Sequence, residues 1–385
     1  MQNGETKGSG ITAHNIKITR DTDAWEVELR AEIPAEAMVQ YKEEAVKEVQ
    51  KAAKMDGFRP GKVPLEKIIA VYGEPQLLRM AAERAIQKEL PEILARENIL
   101  VIEAPKVQIE LPGDGKPARP DDSGHSGGPL SFTARAPLPP EVTLPDWKKI
   151  AKEHSEKKQE VTVSDDEYLQ AQNHIRRERA RIESIEKGEE PAKALEAAKQ
   201  LPEADLPPLD DEFAKSLGYE SSAHFGEMLR SNIKSEKEMQ EKQLRRNAIL
   251  KGIVTAATIK YPAVMREYEL DDMETRIRDD IARMSAGGGS ASGGGDPFEM
   301  YLKQVGKTRE TLRKEWQDAA DKRAKTRLVL NEIAKQEKIT ADESAVEKEL
   351  SHAKEHYKET PAENLRAGIA HAMRNEKVLE LLENQ

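Results

Sequence analysis

The sequence predicts an α+β N-terminal domain, followed by an extended linker and an elongated all-α C-terminal domain with helical arms. Three observations support this fold class. Strand-like alternation and helical spacing both occur before residue 137, the apolar pattern is lost just after it, and only helical segments follow residue 203. A chain of 385 residues is long enough for more than one domain. The predicted parts are residues 10–148, residues 149–202 and residues 203–385.

Composition limits the class of protein. Charged residues make up 34% of the chain and aromatic residues 4%, and the net charge is −10. Such a composition favours disorder when apolar residues are scattered, but here most of them recur at helix or strand spacing, so the chain should fold. The absence of cysteine excludes disulfides and thiolate chemistry and fits a reducing compartment.

The N-terminal segment is polar, and no apolar run approaches the roughly 18 residues of a membrane helix. We therefore expect a soluble, cytoplasmic protein that has no membrane partner.

The first domain should combine strands and helices around one core. In "WEVELRAEI", Trp25 to Ile33, apolar and charged residues alternate, which is typical of a half-buried strand. From Pro34 to Met55 the spacing becomes helical, and helical spacing returns in "VPLEKIIAVYG" and the stretch after it. Two further strands, "PKVQIEL" and "LSFTARAPL", flank a loop rich in Gly and Pro. An antiparallel pair packed on helices gives an α+β domain.

The middle of the chain contains little apolar pattern. Residues 137–159 are rich in Pro, Lys and Glu, which indicates an extended connection. A strongly charged helix with a thin apolar face should follow, with Ser164 as its N-cap and Gly188 as its stop. Its role is left open.

The remainder should be helical throughout. Pro262 and Pro361 stand where a proline suits the first turn of a helix. The Gly-rich segment 285–296 predicts a flexible tip at which two helices fold back as arms. The predicted helical segments are residues 212–258, 262–285, 297–336, 342–357 and 361–385.

Two motifs imitate catalytic signatures. "HAKEH", His352 to His356, matches the spacing of a zinc hydrolase helix, but a catalytic zinc needs a third protein ligand and a pocket, and only 29 residues follow. "VGKT", Val305 to Thr308, ends like a phosphate-binding loop but lacks the earlier glycine and the preceding strand. We predict no catalytic residue, no metal and no cofactor.

The loop "GFRPGK" is the strongest candidate for a binding site. Its residues are Gly57, Phe58, Arg59, Pro60, Gly61 and Lys62. Between Gln50 and Val63 there are four basic residues and one acidic residue, so this piece carries a local charge of +3 in an acidic protein. A cationic tip with an apolar side chain suits a surface that presents both phosphate and protein. The alternative is a helix hairpin in which Phe58 folds back on its own domain.

A second candidate is an apolar stripe beside the Gly-rich tip. Met273, Ile277, Ile281 and Met284 recur at helical spacing. Such a stripe ordinarily belongs to a core, but part of it must stay open in arms that extend from a body, and Met adapts to varied apolar partners. We predict this stripe as a client-binding surface, and the core interpretation stays open.

These residues resemble the trigger factor family, the ribosome-associated chaperones of bacteria. "GFRPGKVP" is similar to the docking signature of that family in Gly57, Phe58, Arg59 and Lys62. Residues 301–339, and "LPPLDDEFAKSLGYES" before them, are similar to its C-terminal body. Full-length members carry a prolyl isomerase domain where this chain has only residues 152–202, with one charged helix and no succession of strands. The resemblance therefore implies a form without isomerase activity.

The resemblance implies a molecular chaperone that acts without ATP. It would dock through the "GFRPGK" loop on a large-subunit protein and RNA near the tunnel exit of the ribosome, and would shield unfolded nascent polypeptides; a weak homodimer is left open. The alternatives are a free cytoplasmic holdase, a helical scaffold without ribosome binding, a residual prolyl isomerase and a zinc hydrolase.

Overall fold

The computed structural model describes residues 12–52, 58, 63–110, 129–156, 160–287, 296–358 and 360–385. The strands are β1 (His14–Asp21), β2 (Glu26–Ile33), β3 (Lys106–Glu110), β4 (Leu130–Pro137), β5 (Glu141–Thr143) and β6 (Thr258–Lys260). The helices are α1 (Ala35–Ala52), α2 (Leu65–Tyr72), α3 (Glu74–Arg96), α4 (Trp147–Ser155), α5 (Asp165–Glu186), α6 (Pro191–Gln200), α7 (Asp211–Ser216), α8 (Ser222–Ala256), α9 (Ala263–Gly287), α10 (Pro297–Gln304), α11 (Arg309–Gln336), α12 (Glu343–His356) and α13 (Ala362–Glu383).

The chain divides into two compact units. The first unit comprises Met1–Thr143 and Thr258–Leu328, and the second comprises Leu144–Ala257 and Val329–Gln385. Among the described residues, no helix is long and apolar enough to cross a membrane.

The first unit begins with an antiparallel sheet in the order β1-β2-β4-β3. The alternation predicted for residues 25–33 is confirmed, because every second residue of β2 is buried from Val27 to Ile33. Strand β1 was missed by the sequence analysis. It is a mostly exposed edge strand, so it lacks the apolar alternation of a half-buried strand.

Helices α1 and α3 cover one face of this sheet. Ala81, Ala82 and Ala85 are fully buried on α3, and their small side chains let this helix pack closely. Facing them, Met38 and Tyr41 of α1 join the same core. The α+β prediction for this part is confirmed.

A buried carboxylate joins the start of the chain to this core. Glu89 of α3 is 1% exposed and accepts hydrogen bonds from the Thr12 amide at 2.8 Å, the Ala13 amide at 3.1 Å and the Tyr41 hydroxyl at 2.9 Å. Burial by itself would raise the pKa of Glu89, but the hydrogen bonds donated to it outweigh burial and lower that pKa. The ionised carboxylate therefore fixes the entry to β1.

The rest of the first unit pairs helices through buried acids. Glu274 of α9 lies 2.9 Å from the Arg309 Nε and 3.1 Å from an Nη of Arg313, both on α11. Glu269, one and a half turns earlier on α9, lies 3.0 Å from Arg323 and 3.0 Å from Arg327. Because both carboxylates are almost fully buried, these pairs define the register of α9 against α11.

In the second unit, the described elements are helices. The all-helical prediction for residues after 203 is confirmed, apart from the short strand β6 in the first unit, which pairs with β5. The extended connection predicted for residues 137–159 is wrong where α4 forms. Trp147 is 5% exposed and Ala151 0% exposed, so this helix buries an apolar face that Lys and Glu conceal in the sequence.

Two glycines of α8 allow the neighbouring helices to pack closely against it. A Cβ at Gly252 would lie 2.9 Å from Cγ2 of Ile150 on α4, and one at Gly226 would lie 2.5 Å from the Tyr168 hydroxyl on α5. Both helices therefore approach the α8 backbone more closely than a larger residue would allow.

The charged helix α5 has a definite packing role. Ser164 forms the predicted N-cap, in a capping box with Glu167, and Gly188 follows the helix in a left-handed conformation. Arg176 donates to the carbonyl oxygens of Pro207 at 2.9 Å and Leu206 at 2.6 Å. This helix therefore holds the segment that leads into α7.

Candidate functional site

The "GFRPGK" loop connects α1 to α2. Phe58 is described, and this residue is 38% exposed. Gly57, Arg59, Pro60, Gly61 and Lys62 lie outside the described residues. The structure covers part of Phe58 and leaves part of it exposed, so docking and folding back on its own domain both stay predictions.

The segments that flank the loop are anchored in a small apolar cluster. Val49 comes from the last turns of α1, Val63 precedes α2, and the two pack with Ile68 and Leu77 at exposures of 4% or less. The Gln50 Nε2 also donates a 2.5 Å hydrogen bond to the Val63 carbonyl oxygen. The two described ends of the loop are therefore held close together.

Ion pairs brace the helices that carry this tip. Arg84 of α3 lies 2.7 Å from Glu44 and 2.5 Å from Glu48, both on α1. The hydrogen bond from Arg84 is the main reason that the pKa of Glu44 lies below its usual range. Lys42 and Glu74 make a further pair at 2.9 Å. These side chains are partly exposed, so they orient α1 on α3 more than they stabilise the fold.

Helix α2 adds apolar surface beside the loop. Leu65, Ile69 and Tyr72 occupy positions i, i+4 and i+7 and are 49%, 36% and 40% exposed, whereas Ile68, at position i+3, is buried. The sequence analysis missed this surface. The signal was the run "LEKIIAVY", in which six of eight residues are apolar, more than one buried face of a short helix needs. Lys51 and Lys67 supply exposed positive charge nearby in the chain.

The predicted client-binding stripe lies on α9. Ile277 and Ile281 are half-buried and pack against Phe298, Leu302 and Leu312. Met273 is half-buried as well, and the side chain of Met284 lies outside the described residues. Part of the stripe thus supports the pairing of α9 with α10 and α11, and its role in client binding stays a prediction.

Two strongly exposed apolar side chains lie on α8. Met239 is 72% exposed and Leu244 is 70% exposed, on a stretch of this helix that has no buried residue between Gly226 and Ile249. The sequence analysis did not single them out, because isolated apolar residues among charges do not produce a helical stripe.

The two histidines of "HAKEH" lie exposed on α12. Within the ranges that the structure describes, no cluster of three or more His, Cys, Asp or Glu side chains could hold a metal ion.

Comparison with protein families identifies both halves of the chain. Residues 14–175 match the model described as "Bacterial trigger factor protein (TF)", and residues 223–383 match that of the trigger factor C-terminus. The chain belongs to the trigger factor family. Family membership supports a chaperone role for this trigger factor.

Curated relatives match this chain along most of their length. A trigger factor of Caldicellulosiruptor saccharolyticus is 26% identical over 377 residues, which cover 79% of this chain and 80% of the relative. A trigger factor of Thermus thermophilus is 24% identical over 366 residues, which cover 80% and 83%. The resemblance seen in the sequence is therefore confirmed.

A solved structure shares the fold. It comes from work on promiscuous substrate recognition in the folding and assembly activities of the trigger factor chaperone, and it matches with a TM-score of 0.52 at 17% identity. The match covers 96% of this chain and 99% of that one. A small sheet with helices, followed by a predominantly helical remainder, is thus the fold of this family.

Proposed function

We propose that this trigger factor is an ATP-independent chaperone that docks on the ribosome near the nascent-chain exit and shields emerging unfolded polypeptides. In this proposal residues 10–148 dock, residues 149–202 connect, and residues 203–385 provide the client-binding body, all in the cytoplasm. The partners are a large-subunit protein, the neighbouring RNA and the nascent chain.

The partial exposure of Phe58 is the observation that supports the docking proposal. An aromatic side chain that is 38% exposed on a tip with anchored ends is pre-organised to enter a pocket on a partner. The basic residues of the same loop in the sequence, Arg59 and Lys62, suit contacts with phosphate or acidic side chains. Apolar and cationic groups together match a surface built from both protein and RNA.

The test is co-sedimentation with purified bacterial ribosomes at about 100 mM salt and again at higher salt, where binding through phosphate contacts weakens steeply. We expect salt-sensitive binding at near-equal stoichiometry, and a loss of roughly tenfold or more in affinity for Phe58→Ala combined with Arg59→Ala and Lys62→Ala. Tyr357→Ala removes a 58% exposed aromatic side chain from the second unit and serves as the matched control. Equal binding by the triple variant and the wild type would defeat the docking assignment.

Chaperone action is tested separately from docking. Wild-type protein should suppress the aggregation of several unrelated unfolded proteins without added nucleotide, and the triple loop variant should do so equally well. A scaffold for fixed partners would instead bind one or two folded ligands and leave aggregation unchanged.

We also propose that the chain is not an enzyme. The two matching family models are the N-terminal and C-terminal parts of trigger factor, and the structure builds helices α5 and α6 between residues 152 and 202. The cis-to-trans conversion of a short proline peptide should proceed at the rate measured in buffer alone. A faster rate that scales with protein concentration would contradict this proposal.

A further inference from the structure

An apolar cleft opens at one end of the sheet in the first unit. None of its lining residues belongs to the α1–α2 loop. Its volume is about 420 Å³, a size typical of sites that take one or two side chains or a small ligand. Trp25, Ile99, Leu100, Leu138 and Pro139 form its apolar wall. The lining also contains Arg20, Asp21, Glu141 and Lys260, and the last two form an ion pair at 3.7 Å.

Trp25 is held in a strained position at this cleft. Its φ of +55° lies in the left-handed region, which is unfavourable for a large side chain. Two hydrogen bonds hold it there, from the indole Nε1 to the Pro139 carbonyl oxygen at 2.7 Å and from the Leu138 amide to the Trp25 carbonyl oxygen at 3.0 Å. Lys260 stands 5.0 Å from the ring centre. Strain retained at an aromatic residue beside a cleft points to a role in binding.

The opposite wall depends on the end of α3. Asn98 adopts a left-handed conformation with φ of +51°, and the Ile99 amide bonds back to the Leu94 carbonyl oxygen at 2.9 Å. This turn sends Ile99 into the core at 6% exposure and leaves Leu100 74% exposed beside the cleft. Leu100 is the most exposed large apolar side chain among the described residues.

We infer that this cleft is a subsite for unfolded clients, which takes one large aromatic or aliphatic side chain from an extended segment of the client. The inference rests on the proposed chaperone function and adds a binding position within the N-terminal α+β part. The indole of Trp25 and the side chain of Leu100 contact the client side chain, while the client backbone stays hydrated at the open rim.

Size and charge favour this occupant over others. The rim holds two cations and two anions, so it neither attracts nor repels a client of a given charge. A stable contact between two copies of the chain needs roughly 800 Å² from each partner, more than this small cleft presents. The residues outside the described ranges are mostly polar and contain only Met1, Ile11, Met55 and Leu111 as large aliphatic side chains.

The experiment measures the affinity of the full chain for a fluorescein-labelled unfolded peptide of about 20 residues with one central Phe. Leu100→Asp places a charge at the cleft without touching the core, so we expect it to weaken binding about fivefold or more. Val39→Asp is the matched control, because Val39 is 55% exposed on α1 and lies outside the cleft. It should bind within about twofold of wild type.

A second measurement locates the contact. A peptide whose central Phe is replaced by benzoylphenylalanine should crosslink to Trp25, Leu100 or Leu138, as read by mass spectrometry. Equal affinity of Leu100→Asp and wild type, or crosslinks confined to other residues, overturns the inference while leaving the chaperone function intact. A wild type that neither binds the peptide nor suppresses aggregation overturns both. A dimer in sedimentation velocity that Leu100→Asp abolishes would make the cleft a copy-to-copy contact and also overturns it.

Discussion

The Gln50 side chain donates a 2.5 Å hydrogen bond to the carbonyl oxygen of Val63, across the loop that carries Phe58. This bond joins the last turn of α1 to the residue before the N-cap of α2. The loop between them is therefore closed by a polar bond as well as by the packing of Val49 on Val63. If Phe58 docks as proposed, joined loop ends would lower the entropy cost of docking.

Replacing Gln50 by Ala should weaken ribosome binding as well as the fold. The lost hydrogen bond is worth about 1 kcal/mol, and the loop gains freedom that it must lose again on docking. Ribosome affinity should fall about threefold to tenfold. Quantitative co-sedimentation measures this, with Gln40→Ala, an exposed glutamine of the same helix, as the control. An affinity equal to that of wild type would mean that the loop is ordered without this bond.

The buried carboxylate of Glu89 should make stability depend on pH. Its pKa is lowered in the folded protein, so its contribution is fully present above the unfolded pKa near 4.5 and is lost as the pH falls through the lower folded value. Glu89→Gln should lower the free energy of unfolding by about 1–3 kcal/mol at pH 7, because the amide NH2 of Gln would face other hydrogen-bond donors. This difference from wild type should become smaller towards pH 3. Urea unfolding at several pH values measures both effects.

Glu83 provides the control for this experiment. It lies on the same helix as Glu89 but is exposed. Glu83→Gln should leave the pH profile of unfolding unchanged. If the free energies of unfolding of wild type and Glu89→Gln differed by the same amount at every pH, the hydrogen bonds would not be lowering the pKa of Glu89.

Gly226 should be intolerant of a side chain because of Tyr168. A Cβ at this position would stand 2.5 Å from the Tyr168 hydroxyl but 3.8 Å from its ring carbon, and the ring is covered by the Arg230 guanidinium 3.8 Å from its centre. Gly226→Ala should therefore cost about 1 kcal/mol or more through displacement of α5. Adding Tyr168→Phe removes the clashing oxygen and should restore most of the loss in thermal unfolding. A double variant as unstable as the single variant would assign the cost elsewhere.

Glu274 should hold α9 against α11. The side chain is 7% exposed and meets guanidinium groups of Arg309, Arg313 and Arg278. Burial would raise the pKa of Glu274, and the arginines outweigh it, so the acid is ionised at neutral pH. Glu274→Gln should lower the free energy of unfolding by about 1–2 kcal/mol. This is less than for a fully buried ion pair, because the arginines remain partly hydrated. Hydrogen exchange along α9 should accelerate, whereas Asp279→Asn, an exposed acid on α9, should leave it unchanged.

The candidate docking site shows how far sequence reasoning reaches. Phe58 between two glycines and beside basic residues could be recognised from its local pattern, because an aromatic side chain in such a loop has no core to enter. The apolar face of α2 could not, since Ile68 and Ile69 look equivalent until the helix packs one of them inward. The cleft at Trp25 was also invisible, because its lining comes from four segments that are spread along the chain between residues 20 and 260.

The sequence by itself determined the class of each half and the position of most helices, because apolar spacing, prolines and N-caps such as Ser164 act over a few neighbouring residues. Tertiary structure decided what those local patterns could not express. Strand β1 exists because β2 offers it an edge, α4 forms because Trp147 and Ala151 find a buried surface, and Ile277 is half-buried because α10 and α11 pack against it. Burial depends on contacts between residues distant in the chain, and local spacing carries no record of those contacts.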